Sequence, residues 1–330
     1  MKIRGWLQFF RIHTASAELG GLGIAAYLAG VRGFGLVPIM LFAILWHATG
    51  FGENSLLDWV HGYDRNDPSK AHHPLNTGTI RQAEAKDVVI TMHILGIVFF
   101  IGMMLLYHTR AAAASLLLFA LAILFGNIYN FYGKRNKWAA AVEISLTFSL
   151  LTAAVFFMAN GAFGPLPLLL FLYAFFYVFF QIAQMGEAKE LGQMNERNLL
   201  RRMGSYVDAD GVYHISAGNN TFMWALTFIK GGLLIAAVSL VYASQTAFAV
   251  MVLLIALVLV GYSFGFQHIT TRKEALKVMG AGEALSYVIL VPAIISVAQW
   301  PYVLLLILLP MGWFVLLNKA TWGTLLAPQV

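Results

Sequence analysis

Polar residues along this chain are scarce and come in clumps, and between the clumps run apolar stretches of membrane-crossing length. Roughly 17–25 apolar residues in a helix span the hydrocarbon core. Ten such stretches stand at residues 14–31, 36–59, 88–107, 111–131, 138–159, 165–186, 220–242, 246–267, 281–299 and 301–318. Only Trp300-Pro301 divides the last two. Proline there suits a tight turn between two helices or a kink in one, so nine spans is the other count. The pattern predicts an all-α polytopic membrane bundle of 9–10 helices, with residues 1–330 forming one transmembrane domain. Trp6 to Phe10 read as an interfacial lead-in with aromatic anchors. The basic start, Lys2, Arg4 and Arg11, runs into a Gly/Ala-rich helix without a small-residue cleavage site, so no signal peptide is expected.

Composition agrees with that pattern. The chain is 60% hydrophobic and 11% charged, with a mean hydropathy of +0.75. A soluble fold of this size could not cover so much apolar surface. The absence of cysteine excludes disulfides and thiolate-bound zinc or iron–sulfur clusters. The net charge is +6, and its placement says more than its size. The amino terminus holds Lys2, Arg4 and Arg11, Lys319 follows the last span, and the even-numbered connections hold Arg65, Lys70, Arg81 and Lys86; Lys134, Arg135 and Lys137; Lys189, Arg197, Arg201 and Arg202; and Arg272, Lys273 and Lys277. The odd connections hold only Arg32 and Arg110. Basic residues gather on the cytoplasmic side. The chain is therefore expected to be a multi-pass integral membrane protein with both termini cytoplasmic, and no nucleic-acid partner is expected.

Two connections on that face are long, 60–87 and 187–219. They follow the second and sixth spans, a four-span period that suggests two related halves. The first opens with Asn54-Ser-Leu-Leu-Asp58-Trp-Val-His-Gly62-Tyr-Asp64. Asn54 and Asp58 are four apart and share one helical face. Gly62 is a natural helix stop, which leaves Asp64 in the turn beyond. Magnesium prefers oxygen ligands and is often held by one or two carboxylates plus substrate phosphates. Lys70 can pair with phosphate as a point charge. The same residues, taken alone, would also suit a solvated interfacial loop. Zinc on His61, His72 and His73 would need a further ligand that the loop does not offer.

The Asn-x-x-x-Asp-x-x-x-Gly-x-Asp pattern, placed after the second span of a polytopic chain, resembles the first acidic motif of the UbiA superfamily of intramembrane prenyltransferases. It is most similar to the naphthoate, menaquinone-type branch. The downstream stretch Lys70-Ala-His-His73-Pro74-Leu-Asn-Thr-Gly78 resembles the family's next segment, with His73 where arginine is common. The resemblance implies helices around a central cavity, Mg2+ on Asn54, Asp58 and Asp64, and a polyprenyl diphosphate held by Lys70 and His73. It further implies that Tyr129, Lys134 and Arg135 contact the diphosphate, as does Arg197 in the second loop.

The second loop reads Gln181-Ile-Ala-Gln184-Met-Gly-Glu187-Ala-Lys-Glu190 and continues to Asn198-Leu199 and Met203-Gly204. Family members carry aspartates here at helical spacing. Glu187 falls near the central one and Glu190 one residue short of the last, so both are candidate magnesium ligands, one methylene longer than aspartate. Asp208-Ala-Asp210-Gly211 reads as a turn, since the later ligands of a calcium loop are missing. Glu18, His47, His93, Asn127, Glu143 and Lys230 lie in or near spans and either line a cavity or satisfy one another.

The implied reaction is Mg2+-dependent transfer of a prenyl group to an aromatic or lipid acceptor within the membrane, with Asp58, Asp64 and Lys134 central to it. The alternatives are a transporter and a family member that binds isoprenoid diphosphate without transferring it. Against transport, the acids and bases gather in loops on one face rather than at the midplane.

Overall fold

The structure is a computed structural model that describes residues 2–66, 70–133, 136–192, 198–240, 245–275, 277–278 and 300–323. The long apolar runs become helices, with their prolines within the first turn of each helix, and shorter helices join them. They are α1 (Lys2–Phe9), α2 (Ser16–Leu28), α3 (Leu36–Val60), α4 (Gln82–Leu106), α5 (Ala112–Phe131), α6 (Lys137–Met158) and α7 (Pro165–Phe180). Short α8 (Glu187–Lys189) and α9 (Leu199–Arg202) follow, then α10 (Ala217–Ser239), α11 (Gln245–Gln267), α12 (Trp300–Val303) and α13 (Leu309–Trp322). Among the described residues, six helical stretches are long and apolar enough to cross a membrane. The protein is an all-α, multi-pass integral membrane protein. The expected ninth span, 281–299, lies outside the described residues. Pro301 sits inside α12, whose helical path continues through a π-helical turn, Leu304–Leu308, into α13.

Helix ends follow local chemistry. α7 starts with Pro165, whose fixed φ suits the first turn and whose missing N–H is not needed there. α13 stops at Gly323, which takes the left-handed conformation, φ +79°. α3 has 25 residues, so it runs about 37 Å, longer than the ~30 Å hydrocarbon core. Its polar last turns, with Asn54 and Asp58, therefore reach the membrane boundary. On α4 the exposed Ile90, Ile94, Val98, Ile101 and Leu105 make one stripe suited to lipid.

The chain forms two compact units. The first comprises Met1–Ala120, Ala154–Ala162 and Leu308–Val330. Here α3 packs against α2 and α4, and α13 packs against α2 and the 3-10 turn Ile12–Ala15. Lipid tails are as apolar as leucine, so close packing rather than escape from water holds such helices together. Gly96 permits it: a Cβ there would stand 2.9 Å from the Trp46 ring. Trp46 also meets Phe119 at 4.8 Å between centroids, and Phe119 stacks on Phe100 at 4.0 Å. The amino-terminal segment is tied down at both ends of this unit. Arg4 Nε and Gln8 Nε2 donate to the Thr321 carbonyl, and Trp313 Nε1 donates to that of Ile12 at 2.8 Å.

Several polar side chains within the helices find partners, as lipid favours. His47 Nδ1 lies 2.7 Å from Glu18 Oε1, and both side chains are buried. His93 Nε2 lies 3.8 Å from Glu53 Oε2. In α6, Ser145, Ser149 and Thr152 each donate to the carbonyl four residues back.

The second unit comprises Leu121–Ala153 and Phe163–Ile307. Its core gathers Phe180, Leu199, Leu200, Met223, Leu226 and Phe266. Two short strands, β1 (Tyr206–Val207) and β2 (Tyr213–His214), pair antiparallel across the Asp208–Gly211 turn. Asp208 Oδ1 accepts from the backbone N–H of Asp210 and of Val212, so this segment is a turn, as its sequence predicts.

Candidate functional site

The first acidic loop is built on the end of α3. Asn54, Asp58 and Asp64 are all buried, at 7%, 5% and 6% exposure, which is unusual for groups bordering a polar loop. Helical spacing puts Asn54 and Asp58 on one face. The helix stops at Gly62, whose φ of +86° a side chain would resist. A Cβ there would also meet Asn66 Nδ2 at 2.9 Å. The chain then folds back, and the Asp64 N–H donates to the Asp58 carbonyl at 3.2 Å. The two aspartates are thereby joined through backbone.

Residues 70–80 close over this turn. Phe9, Leu56, Leu75, Ile80, Ala85 and Val89 form the apolar floor beneath them. Asn76 is the tie. Its Nδ2 donates to the carbonyls of Asp64, at 3.0 Å, and of Lys70, at 2.9 Å. Its Oδ1 accepts from Trp59 Nε1 at 2.8 Å. His73 brings its Nε2 to 3.9 Å from Asp64 Oδ2, too far for a hydrogen bond, and neither atom has a hydrogen-bond partner. Burial pushes the His73 imidazole down to about 4, against the upward pull of Asp64. It is therefore neutral at pH 7 and adds no positive charge to this loop. Arg11 does carry charge nearby: its guanidinium lies 5.7 Å from the Phe51 ring centre and helps to hold His73 neutral.

A buried carboxylate oxygen without a partner is costly, and a hard cation would satisfy it. Among the described residues, no three His, Asp or Glu side chains come together as a metal site. Asn54, Asp58 and Asp64 are oxygen donors of the chemistry Mg2+ takes when phosphate oxygens or water fill its other positions.

The second acidic loop is organised differently. α7 runs into a π-helical turn, Gln181–Gly186, in which both amide atoms of the fully buried Gln184 lack partners. Glu187 follows, 4% exposed. Its Oε1 lies 3.0 Å from Lys137 Nζ, and its Oε2 accepts from the Leu199 N–H at 2.8 Å. Glu190 Oε2 meets the same ammonium at 3.4 Å. Asn198 caps α9, accepting from the Arg201 N–H, and its Nδ2 donates to the Glu187 carbonyl at 2.8 Å. Burial pushes the Glu187 carboxyl up, and Lys137 opposes that shift. Lys230, buried in α10, places its Nζ 3.8 Å from the Phe180 ring centre.

The structure brings Asn54, Asp58, Asp64, Lys70 and His73 into one loop system and sets Glu187 and Glu190 on Lys137. Tyr129 lies on α5, where Gly133 lets it approach: a Cβ on Gly133 would stand 3.4 Å from its ring and 2.3 Å from Glu143 Oε2. Lys134, Arg135 and Arg197 fall outside the described residues. Sequence reasoning passed over Asn76, Arg11 and Lys137. Asn76 stands in a quoted motif, but its partners lie 6, 12 and 17 residues away. Arg11 and Lys137 were counted only as charges that set topology.

Comparison with known proteins places this geometry. No curated protein matches the chain. Among solved structures, a UbiA homolog from Archaeoglobus fulgidus bound to GPP and Mg2+ superposes with a TM-score of 0.59 at 16% identity, over 89% of this chain and 100% of that one. A second structure of a homolog from the same organism, bound to DMAPP and Mg2+, gives 0.53 at 17% identity, over 85% and 98%. A structure described in connection with digeranylgeranylglyceryl phosphate synthase in membranes gives 0.54 at 18% identity, over 89% and 98%. At these identities the likeness is one of fold. The sequence itself matches the model of the UbiA prenyltransferase family across residues 19–195, more than half of its length. That stretch carries the first acidic loop and the start of the second, with Glu187 and Glu190, and the chain accordingly belongs to the UbiA prenyltransferase family.

Proposed function

We propose that this protein transfers a prenyl group from a polyprenyl diphosphate to an aromatic or lipid acceptor within the membrane, in a Mg2+-dependent reaction. The observation that carries this is the buried trio Asn54, Asp58 and Asp64 at and just beyond the carboxyl-terminal end of a membrane-length helix, with one Asp64 oxygen left without a hydrogen-bond partner. Solved homologs bound to GPP or DMAPP with Mg2+ support the donor class. The reading takes residues 1–330 as one transmembrane domain with both termini cytoplasmic.

Asn54, Asp58 and Asp64 would hold Mg2+, which supplies charge neutralisation to a diphosphate leaving group. Lys70 and Arg11 add positive charge beside it. Asn76 holds the Asp64 and Lys70 backbone in place. Neutral His73 can donate or accept a hydrogen bond but does not neutralise charge. The apolar floor around Phe9 and Leu56 keeps water from the carbon that loses its diphosphate. The acceptor class and the naphthoate branch are our reading of the first motif's resemblance.

The test is incubation of purified protein with labelled geranylgeranyl diphosphate, Mg2+ and a panel of naphthoate, hydroxybenzoate and glycerolipid acceptors. Labelled product from one acceptor class is expected, lost in Asp58→Asn and on chelation. Diphosphate bound without Mg2+, or unchanged in Asp58→Asn, would refute the assignment of the site.

A further inference from the structure

We propose that Lys137 is a built-in counter-cation for the second acidic loop, so that an ammonium closes this loop and the chain takes its divalent metal on the first loop alone. This rests on the function proposed above and deepens it by assigning the metal count.

Every oxygen that Glu187 offers already has a protein donor. Oε1 faces Lys137 Nζ at 3.0 Å, and Oε2 accepts the Leu199 N–H at 2.8 Å. Asn198 takes the Glu187 backbone carbonyl at 2.8 Å, which fixes the residue from its other side. Glu190 shares the same ammonium at 3.4 Å. Glu187 is buried, at 4% exposure, while Lys137 and Glu190 are half-buried, so the Glu187–Lys137 pair interacts in a medium less polar than water. A divalent ion entering here would have to displace Lys137 from both carboxylates and break the buried Leu199 N–H bond to Glu187, leaving that amide without its acceptor. The first loop contrasts with this: Asp64 Oδ2 is buried and has no hydrogen-bond donor. Lys137 starts α6, while Glu187 and Glu190 follow α7. The triad is therefore an ion-paired staple between the start of α6 and the segment that follows α7.

The test counts Mn2+ bound to the purified full-length protein by electron paramagnetic resonance, with geranyl diphosphate present. One Mn2+ per chain is expected in the wild type, none in Asp58→Asn, and still one in Glu187→Gln. The Leu199 amide should exchange at the same rate with and without chelator. Lys137→Met should gain a second Mn2+ and make that amide metal-dependent. If Lys137→Met does not fold, Glu187→Gln and Glu190→Gln still decide the count. Two Mn2+ in the wild type with one lost in Glu187→Gln overturns the inference, as does loss of all Mn2+ in Glu187→Gln. Retention of Mn2+ by Asp58→Asn overturns the first-loop assignment instead, so the two failures are separable.

Discussion

Asn76 offers the sharpest perturbation of the first loop, because it touches the candidate ligands only through their backbone. Truncation in Asn76→Ala removes three hydrogen bonds, to the Asp64 carbonyl, the Lys70 carbonyl and Trp59 Nε1. At about 1 kcal/mol net each, the loop loses about 3 kcal/mol of order. Asn76 and Trp59 are only partly buried, so water recovers some of this and about 1.5–3 kcal/mol remains. Because 1.4 kcal/mol is a factor of ten in an equilibrium constant, Mn2+-dependent binding of geranyl diphosphate should weaken by roughly 10- to 100-fold. The melting temperature should move little, since the membrane helices are untouched. Asn76→Asp sharpens the logic. It keeps the size and the acceptor for Trp59, but replaces the N–H donors with a carboxylate facing two carbonyls. It should bind at least as poorly as the alanine variant. Titration calorimetry on detergent-solubilised protein measures both. Binding within twofold of wild type in Asn76→Ala, or an aspartate variant that binds normally, refutes the clamp.

Three further outcomes follow from the same structure. Gly96→Ala puts a Cβ 2.9 Å from the Trp46 ring and should cost about 1–3 kcal/mol, whereas Gly102→Ala, on the same helix with nothing within 4 Å, should be neutral or slightly stabilising; thermal unfolding in detergent compares them. Chelation of divalent metal should abolish binding of geranyl diphosphate but leave the exchange rate of the Asp64 amide, bonded to Asp58, within a few-fold, because backbone and not metal folds that turn. The His214 hydrogen bond, with the Val212 and Asp210 amides, holds the Asp208 carboxyl below its ordinary 3.8. A carboxyl depressed by folding stabilises the hairpin above the unfolded value and loses that contribution as pH falls through the folded one. Protection of the Val212 amide should therefore be constant above about pH 5 and collapse only below the ordinary carboxylate range, by hydrogen exchange.

What could be read from the residues was whatever depends on short separations. The spacing of Asn54 and Asp58 reports a shared helix face directly, and Gly62 reports the turn that brings Asp64 back. Span positions followed from hydropathy, which local composition sets. The partnership of Glu18 with His47 was half visible: two ionisable groups inside spans need partners, but which two meet is a matter of how α2 packs on α3. Asn76 was invisible as a clamp because its three bonds depend on how a loop folds over an apolar floor. Lys137 was hidden for another reason. A lysine at a helix start is what membrane topology alone demands, so its charge had an ordinary explanation before its carboxylate partners, 50 and 53 residues away, were located. The neutrality of His73 likewise comes from burial that no motif encodes.

The π-helical turn Gln181–Gly186 has a consequence for comparing this chain with its relatives. Bonding from i to i+5 accommodates one more residue per turn than an α-helix does. A chain with one residue fewer there and a plain α-helical turn would keep its downstream side chains in the same directions, each one position earlier in sequence. A position-by-position alignment that allows no gap within this turn would therefore equate side chains pointing in different directions, and would score the second loop as degenerate when it is displaced by one residue.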